Sequence, residues 1–249
     1  MQILTPCQHT TTPEWHSKGE IKPEMHGEVL TLSMDERAMT KFLSDSPFQN
    51  VEPLGGAFDK EMVASAFEEC LKQDTGPFRL RLAKLDDLQD MTRLVQGLAD
   101  YCEESDAVHM QASDYVQDGF DLDDPLWYCL LVDKTCEDGT TVTCGYAFFF
   151  AGYILGEGRL LYLEDLYLEV DHRGGGGGGT VMKALAGLCR AMKCTRLYWQ
   201  ALDWNTAGLS FYAKIGAKIH QCEKTSRYAT ADLRRFARQE APKTTDSSR

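Results

Sequence analysis

Six consecutive glycines stand between an apolar stretch and a helical pattern, and this junction constrains the fold more than any other part of the chain. The apolar stretch, Leu161–Val170, is rich in bulky residues, and the glycines are Gly174–Gly179. From Thr180 onward, apolar residues recur at helical spacing. This order predicts a strand, then a tight loop, then the N-terminus of a helix.

A helix that begins after glycines offers a site for phosphate oxygens. Its first backbone N–H groups lack helical partners, and the positive end of its dipole favours an anion. Arg173, just before the glycines, adds a full positive charge that can pair with phosphate. Glu164 and Asp165 interrupt the preceding apolar strand, where a plain core strand would not place carboxylates. We therefore interpret the junction as a phosphate site beside a reaction centre.

The glycine run by itself is compatible with several sites. A nucleotide P-loop is excluded, because it needs a lysine where Thr180 directly follows Gly179. Any six consecutive glycines satisfy the dinucleotide-binding pattern G-x-G-x-x-G. That pattern should lie in the first βαβ unit of its fold, whereas this run follows a predicted antiparallel meander, which disfavours a dinucleotide site. The loop pattern of acyl-CoA transferases, Arg-x-x-Gly-x-Gly, is met by Arg173, Gly176 and Gly178. The structural alternative is a low-complexity insertion that forms a loop without function.

The surrounding sequence predicts an α/β domain between residues 77 and 238. Alternating or aromatic-rich segments indicate strands, and apolar stripes at helical spacing indicate helices. Strands are predicted at residues 78–82, 126–132, 142–154, from 160, at 196–202 and within 218–228. Helices are predicted at residues 86–102, near 113–119, after Gly179 and before Gly216.

Residues 1–76 differ from this pattern and are interpreted as an N-terminal extension. Prolines break any long periodicity, and only Phe58–Gln73 has the spacing of a short helix, with Asp59 as its N-cap. We expect the extension to be partly disordered. Residues 239–249 are expected to form a solvated tail.

Several of these segments, in this order, resemble the GNAT superfamily of N-acetyltransferases, most closely the diamine (spermidine/spermine, ornithine and thialysine) acetyltransferases. The segments that carry the resemblance are Leu98-Ala-Asp-Tyr101, Asp118-Gly-Phe120, Leu161-Tyr-Leu-Glu-Asp165, Arg173 with the glycines, Asp203-Trp-Asn205, and Phe211-Tyr212 with Gly216-Ala217. The resemblance implies a mixed, largely antiparallel sheet of six or seven strands flanked by helices. It also implies acetyl-CoA as co-substrate, without a metal, and a homodimer.

The resemblance assigns roles to individual residues. Glu164 matches the general base, which fits the chemistry, since a protonated amine must lose a proton before it attacks a thioester. Tyr212 matches the general acid, and Asp165 and Tyr101 match residues that bind the amine. If the strand is regular, Asp165 points to the face opposite Glu164. The expected cofactor-binding residues are Leu166, Tyr167, Leu168, Arg173, Gly174, Gly175, Gly176, Gly177, Gly178, Gly179 and Asn205.

Each role has a structural alternative. Glu164 and Asp165 could be solvated charges at a strand edge, Tyr212 could be core packing, and Asn205 could be an ordinary helix N-cap. Two differences from the polyamine-binding members of the family also bear on the substrate. Polyamine-binding members carry an acidic residue where this chain has Cys102, and their aspartate and tryptophan before the central strand are replaced. A shorter amine, such as a diamine, lysine or thialysine, therefore fits at least as well.

The acidic composition narrows the classes of partner. Lys and Arg total 26 against 38 Asp and Glu, for a formal net charge of -12, which disfavours nucleic acid and anionic membranes and weakly favours cationic metabolites. The nine cysteines and six histidines are scattered, so we expect reduced thiols, no metal site and a cytoplasmic location. Two other functions stay open: acetylation of a protein or peptide amine, and a catalytically weak acyl-CoA-binding interaction module.

Overall fold

One seven-stranded sheet organises the computed structural model, which describes residues 29–46, 48–49, 51, 60–71 and 76–220. The strands are β1 (Val29–Asp35), β2 (Phe78–Leu82), β3 (Tyr128–Thr135), β4 (Thr141–Ile154), β5 (Gly158–Leu168), β6 (Arg196–Leu202) and β7 (Lys218–His220). The helices are α1 (Glu36–Leu43), α2 (Lys60–Leu71), α3 (Leu88–Tyr101), α4 (Ala112–Tyr115), α5 (Gly177–Ala191) and α6 (Thr206–Lys214). Among the residues described, no helix is long and apolar enough to cross a membrane.

The strand order is β2-β3-β4-β5-β6-β1-β7, and every neighbouring pair is antiparallel except β5 with β6. The mixed, largely antiparallel sheet predicted from the sequence is therefore confirmed. The β3–β4 hairpin turns at Gly139, which has a φ of +82°. The Asp138 carboxylate accepts a hydrogen bond from the Thr140 backbone N–H at 2.9 Å and holds this turn.

The parallel pair β5–β6 separates part-way along its length. Their register covers only four positions, from Leu160↔Arg196 to Leu163↔Trp199, and both strands continue beyond it. From there β5 pairs with β4 on one side only, and β6 pairs with β1 on one side only. The sheet therefore opens in its middle, just after Leu163, and this gap positions the candidate site.

Helix α5 is the centre of the larger hydrophobic core. Ten of its fifteen residues are buried, because it lies against β5 and β6 on one side and against α1 and α2 on the other. A helix enclosed on most sides has no need of a polar face, which explains its apolar composition. The opposite face of the sheet carries α3 over a second cluster that contains Trp127, Tyr146 and Tyr167.

An ion network fixes the start of α3 to the sheet. The Arg81 guanidinium on β2 contacts the carboxylates of Asp87 and Asp133, each at 2.7 Å. The Asp87 carboxylate also accepts a hydrogen bond from the Lys84 backbone N–H at 2.8 Å. Burial has the largest single effect on the pKa of Asp87 and raises it, but the hydrogen bonds from Arg81 and the Lys84 N–H, together with the charges of both residues, lower the pKa below its ordinary value. The network sets the direction of α3, whose last residue lies at the candidate site.

Most of the predicted elements are present, and the largest difference precedes residue 77. The helix predicted at residues 58–73 is α2, but β1 and α1 were not predicted. Apolar and polar residues alternate in β1 from Leu30 to Asp35, but the polar residues Thr31 and Ser33 are buried as well, so both faces of the strand are covered. Ser33 Oγ is hydrogen-bonded to His220 Nε2 at 2.7 Å, which makes its burial tolerable.

The division of the chain at residue 77 stays a prediction, but the sheet itself begins before that position. Strand β1 lies between β6 and β7, and α2 packs on α5. Asp59, the tail at residues 239–249 and the predicted strand beyond His220 lie outside the described residues.

The packing of α2 predicts a large stability loss for Phe67→Ala. The Phe67 ring is buried and lies 5.7 Å, between centroids, from the Phe149 ring on β4. We expect the free energy of unfolding to fall by about 3–5 kcal/mol, as for other buried phenylalanines. Urea denaturation followed by fluorescence measures this, with Glu68→Ala on the exposed face of α2 as control. Equal stabilities for the two variants would show that α2 is not part of the core.

Candidate active site

A cavity of about 830 Å³ lies where β5 and β6 separate. Its walls are the second half of β5, the end of β6, the C-terminus of α3, the glycine loop and one face of α6. Of the residues predicted for the site, all but Gly175 line this cavity. The predicted residues that do so are Tyr101, Glu164, Asp165, Leu166, Tyr167, Leu168, Arg173, Gly174, Gly176, Gly177, Gly178, Gly179, Asn205 and Tyr212.

Three of the six glycines are required by the backbone or by close packing. Gly174 and Gly176 have φ values of +79° and +96°, a region that side chains strongly disfavour. A Cβ on Gly177 would lie 3.0 Å from the Phe78 ring. Gly175 also faces the Phe78 ring, at 3.4 Å from an ideal Cβ. The run is therefore a shaped turn rather than a loop without structure.

The turn delivers unpaired backbone N–H groups to the cavity. Gly176 is the N-cap of α5, and the first helical hydrogen bond runs from the Thr180 N–H to the Gly176 carbonyl at 3.0 Å. The N–H groups of Gly177, Gly178 and Gly179 precede that bond and have no partner within the helix. All three residues line the cavity, so the positive end of the α5 dipole opens into it. This arrangement suits a bound phosphate group.

Arg173 is fixed at the mouth of the cavity by three contacts. Its Nε donates a hydrogen bond to the Leu168 carbonyl at 2.7 Å. Its guanidinium lies 4.3 Å from the centre of the Tyr101 ring and 5.5 Å from that of Tyr167. Tyr101 also contacts the Trp204 ring, with centroids 6.0 Å apart. The end of α3 therefore contacts both the loop before α5 and the turn before α6.

A β-bulge places the two carboxylates. Phe148 is opposite Asp165 and Phe149 is opposite Leu163, so Glu164 has no partner on β4. The extra residue shifts the alternation of β5. Leu161 and Leu163 before the bulge pack on the same core as Leu166 and Leu168 after it. The regular strand assumed for the opposite placement of the acids is therefore absent, and both acids line one cavity.

The two acids differ in environment. Glu164 is exposed, whereas Asp165 is largely enclosed and accepts a hydrogen bond from the Tyr146 hydroxyl at 3.2 Å. Burial, and then the charge of Glu164, raises the pKa of Asp165 to about 6, against the opposing effect of the Tyr146 hydrogen bond. Burial also raises the pKa of Tyr146 well above its ordinary range, so this hydroxyl stays a donor. Asp165 thus titrates close to neutral pH.

Tyr212 and Asn205 come from α6 and its N-terminus. The Tyr212 ring is buried against Trp199, with centroids 5.2 Å apart, and burial raises its pKa to about 12. The hydroxyl is therefore protonated at neutral pH and can donate a proton. The Asn205 side chain accepts a hydrogen bond from the Gly208 N–H at 3.0 Å, so it is the N-cap of α6 as well as a cavity residue.

Charged side chains of both signs line the cavity. Glu104 joins Glu164 and Asp165 as an acidic lining residue, while Arg173 and Lys214 line it as cations. Lys214 and Gln200 also line the cavity but are not among the predicted residues. Lys214 lies two positions after Tyr212, a spacing that does not place side chains on one helix face, so the sequence carried no signal for it. In the described part of the chain, no group of three or more His, Cys, Asp or Glu side chains could hold a metal ion.

Comparison with known proteins identifies relatives of one enzymatic class. A family model described as the acetyltransferase (GNAT) family matches residues 92–217. Human spermidine/spermine N(1)-acetyltransferase-like protein 1 is 32% identical over 143 residues, which cover 56% of this chain and 20% of that protein. Bovine thialysine N-epsilon-acetyltransferase is 31% identical over 142 residues, which cover 56% of this chain and 83% of that enzyme.

The fold has relatives among solved structures. An integron cassette protein from the mobile metagenome of V. cholerae superposes with a TM-score of 0.54 and 20% sequence identity. The superposition covers 66% of this chain and 99% of that protein. At this level of identity the likeness concerns the fold alone.

The glycine geometry predicts opposite effects for two single substitutions. Gly176→Ala should lower the free energy of unfolding by about 1–2 kcal/mol, because alanine is strained at its positive φ. Gly179→Ala should raise it by about 0.5 kcal/mol, because Gly179 is helical and a Cβ there meets nothing within 4 Å. Urea denaturation of the protein without coenzyme measures both. A stabilising Gly176→Ala would contradict the turn described for this loop.

Proposed function

This chain belongs to the acetyltransferase (GNAT) family, and from that premise we propose that its acceptor is a primary amine of a small cationic metabolite. As a member of the family, the chain is an acyl-CoA-dependent N-acetyltransferase. The acceptor class proposed is a diamine, a polyamine or a lysine-like amino acid. The names of its relatives, for spermidine/spermine and for thialysine, support this class.

The observation that carries the proposal is the pair of carboxylates at the bulge of β5. Glu164 and Asp165 line the same cavity as the N–H groups at the start of α5, so an amine and a phosphate-bearing coenzyme can be bound together. A third carboxylate, Glu104, lies at the same cavity. Carboxylates attract an ammonium group and hold it, which a neutral pocket would not do. The cavity volume of about 830 Å³ is in the range of small-molecule sites.

The cavity has the features that acetyl-CoA requires. The N–H groups of Gly177, Gly178 and Gly179 would bind the pyrophosphate, with Arg173 beside them. The edge of β5 beyond Leu163 has no β6 partner, so its peptide groups would bind the pantetheine arm as a neighbouring strand does. Acetyl-CoA supplies the activated acetyl group as a thioester.

We assign the proton transfers to Glu164 and Tyr212. Glu164 is next to Asp165 and open to the cavity, so it accepts the proton of the bound ammonium directly or through a water molecule. Asp165, ionised above about pH 6, holds the ammonium in place. The Tyr212 hydroxyl, protonated at neutral pH, donates a proton where the thiolate leaves. The two acids thus divide binding and deprotonation between them.

We also propose a cytoplasmic homodimer. The six cysteines whose side chains the structure describes are free thiols, which is consistent with a reducing compartment. The dimer rests on the resemblance to diamine acetyltransferases, and light scattering of the purified protein tests it.

Loss of the proposed base should abolish most turnover. We expect Glu164→Gln to lower kcat by about 10²–10⁴-fold, the usual contribution of general acid–base catalysis, with little change in acetyl-CoA affinity. Tyr212→Phe should also lower kcat. Acetyl-CoA-dependent thiol release with putrescine, spermidine, ornithine, lysine and thialysine measures this, and Glu137→Gln, an exposed acid on the β3–β4 turn, is the matched control.

The same assay separates the competing functions. Turnover on one of these amines supports the proposal and identifies the length and charge of the acceptor. No turnover on any of them, with acetyl-CoA still bound, would favour a protein or peptide amine. No turnover and no acetyl-CoA binding would favour an interaction module in which the coenzyme site is lost.

The pKa of Asp165 predicts a pH dependence in amine binding. Its pKa is raised to about 6, so the carboxylate is charged above that pH and neutral below it. The KM for the amine should therefore rise as the pH falls through about 6, while the amine, with an ordinary pKa near 10, stays protonated throughout. Asp165→Asn should have a high KM at every pH and no such transition. A transition that persists in Asp165→Asn would assign it to another group.

A further inference from the structure

The Tyr146 hydroxyl is a buried polar group to which the proposed mechanism assigns no step. The residue is 1% exposed, and its ring lies in the second hydrophobic cluster, with its centroid 6.3 Å from that of Tyr167. A buried phenol hydroxyl needs a hydrogen-bond partner. Among the described residues that partner is Asp165. Tyr146 does not line the cavity itself, so any effect it has there passes through Asp165.

The two carboxylate oxygens of Asp165 have different partners. Oδ2 accepts the hydrogen bond from the Tyr146 hydroxyl at 3.2 Å, whereas Oδ1 accepts none from any described residue. Nor does any described cation form an ion pair with Asp165. With Oδ2 held by Tyr146, Oδ1 and the negative charge are available to an ammonium group in the cavity that Asp165 lines.

Among the groups packed around Asp165, only Tyr146 favours the charged carboxylate. Burial, and then the charge of Glu164, raises the pKa of Asp165, and the Tyr146 hydrogen bond opposes both. The other titratable neighbours are neutral at pH 7, because burial, with the Asp165 charge contributing, raises the pKa of each. These neighbours are Tyr115 on α4, Cys129 on β3 and Cys102 just after α3.

We propose that Tyr146 is a positioning residue, whose hydroxyl holds the Asp165 carboxylate in the form and orientation that bind the acceptor amine. This inference rests on the proposed function, in which Asp165 binds the ammonium group. A hydroxyl that donates to a carboxylate stabilises its charged form more than its protonated form. The competing explanation is that Tyr146 only fills the core beneath α3.

Tyr146→Phe separates the two explanations, because it keeps the ring and removes the hydroxyl. We expect the pH below which the KM for the amine rises to move from about 6 to about one unit higher, the effect of losing one hydrogen bond to a charged group. At about pH 8.5 the carboxylate is ionised in both proteins, so kcat and KM should there change by less than about threefold. Tyr153→Phe is the matched control, since Tyr153 is an exposed tyrosine on the same strand and does not line the cavity.

Carbon NMR of the Asp165 carboxyl follows the same titration without any amine or turnover. Its resonance is assigned by its loss in Asp165→Asn, and it should titrate about one pH unit higher in Tyr146→Phe than in the wild-type protein. A fluorotyrosine in place of Tyr146 has nearly the same shape and a hydroxyl that donates more strongly. It should move the titration in the opposite direction, to lower pH than in the wild-type protein.

The outcomes separate this inference from the proposed function. An unshifted Asp165 titration in Tyr146→Phe would overturn the role of Tyr146, and so would a fluorotyrosine protein that titrates like the wild type. A loss of kcat at every pH, with no shift in the KM transition, would also overturn it, because that is the result of a structural role alone. Failure of the wild-type protein to acetylate any amine would overturn the proposed function, whereas the NMR titration decides in either case whether Tyr146 controls Asp165.

Discussion

The early end of the β5–β6 pairing is the constraint on which the rest of the molecule depends. After Leu163↔Trp199 the two parallel strands share no further register, although both continue. An unpaired strand edge inside a protein needs hydrogen-bond partners, and a ligand that offers peptide-like groups can supply them. The glycine turn, the start of α5 and the face of α6 are all arranged around that gap. The pantetheine site that we propose is therefore formed by the break in the sheet itself.

The bulge at Glu164 places the two carboxylates beside that gap in different environments. Because β5 has one extra residue, the Glu164 side chain is exposed to solvent. The neighbouring Asp165 side chain is partly buried and accepts a hydrogen bond from Tyr146. The two adjacent carboxylates thus lie in different environments, and burial raises the pKa of Asp165. Environment rather than residue type sets the role of each, as in other enzymes that use paired carboxylates.

The sequence predicted the elements from β2 to α6 well, because each has a simple period or a strong boundary signal. It failed at β1, whose apolar and polar residues alternate from Leu30 to Asp35, because the prolines on either side led to its assignment to an extension. For the site, every predicted residue except Gly175 lines the cavity, but other lining residues, among them Gln200 and Lys214, were not predicted. The bulge and the contact of Tyr101 with Arg173 were beyond sequence reasoning, because both depend on how separate strands and helices align.

The position of β1 in the sheet has a consequence for synthesis of the protein. β1 is the first described strand to be made, yet it lies between β6 and β7, which are the last of the described strands. At about 5–20 residues per second, a ribosome needs roughly 10–35 s to make the chain between β1 and its partners. During that interval a strand with two unsatisfied edges is exposed to the cell. The nascent chain is therefore a candidate for chaperone binding near its N-terminus, and the sheet can close only after most of the chain has been made.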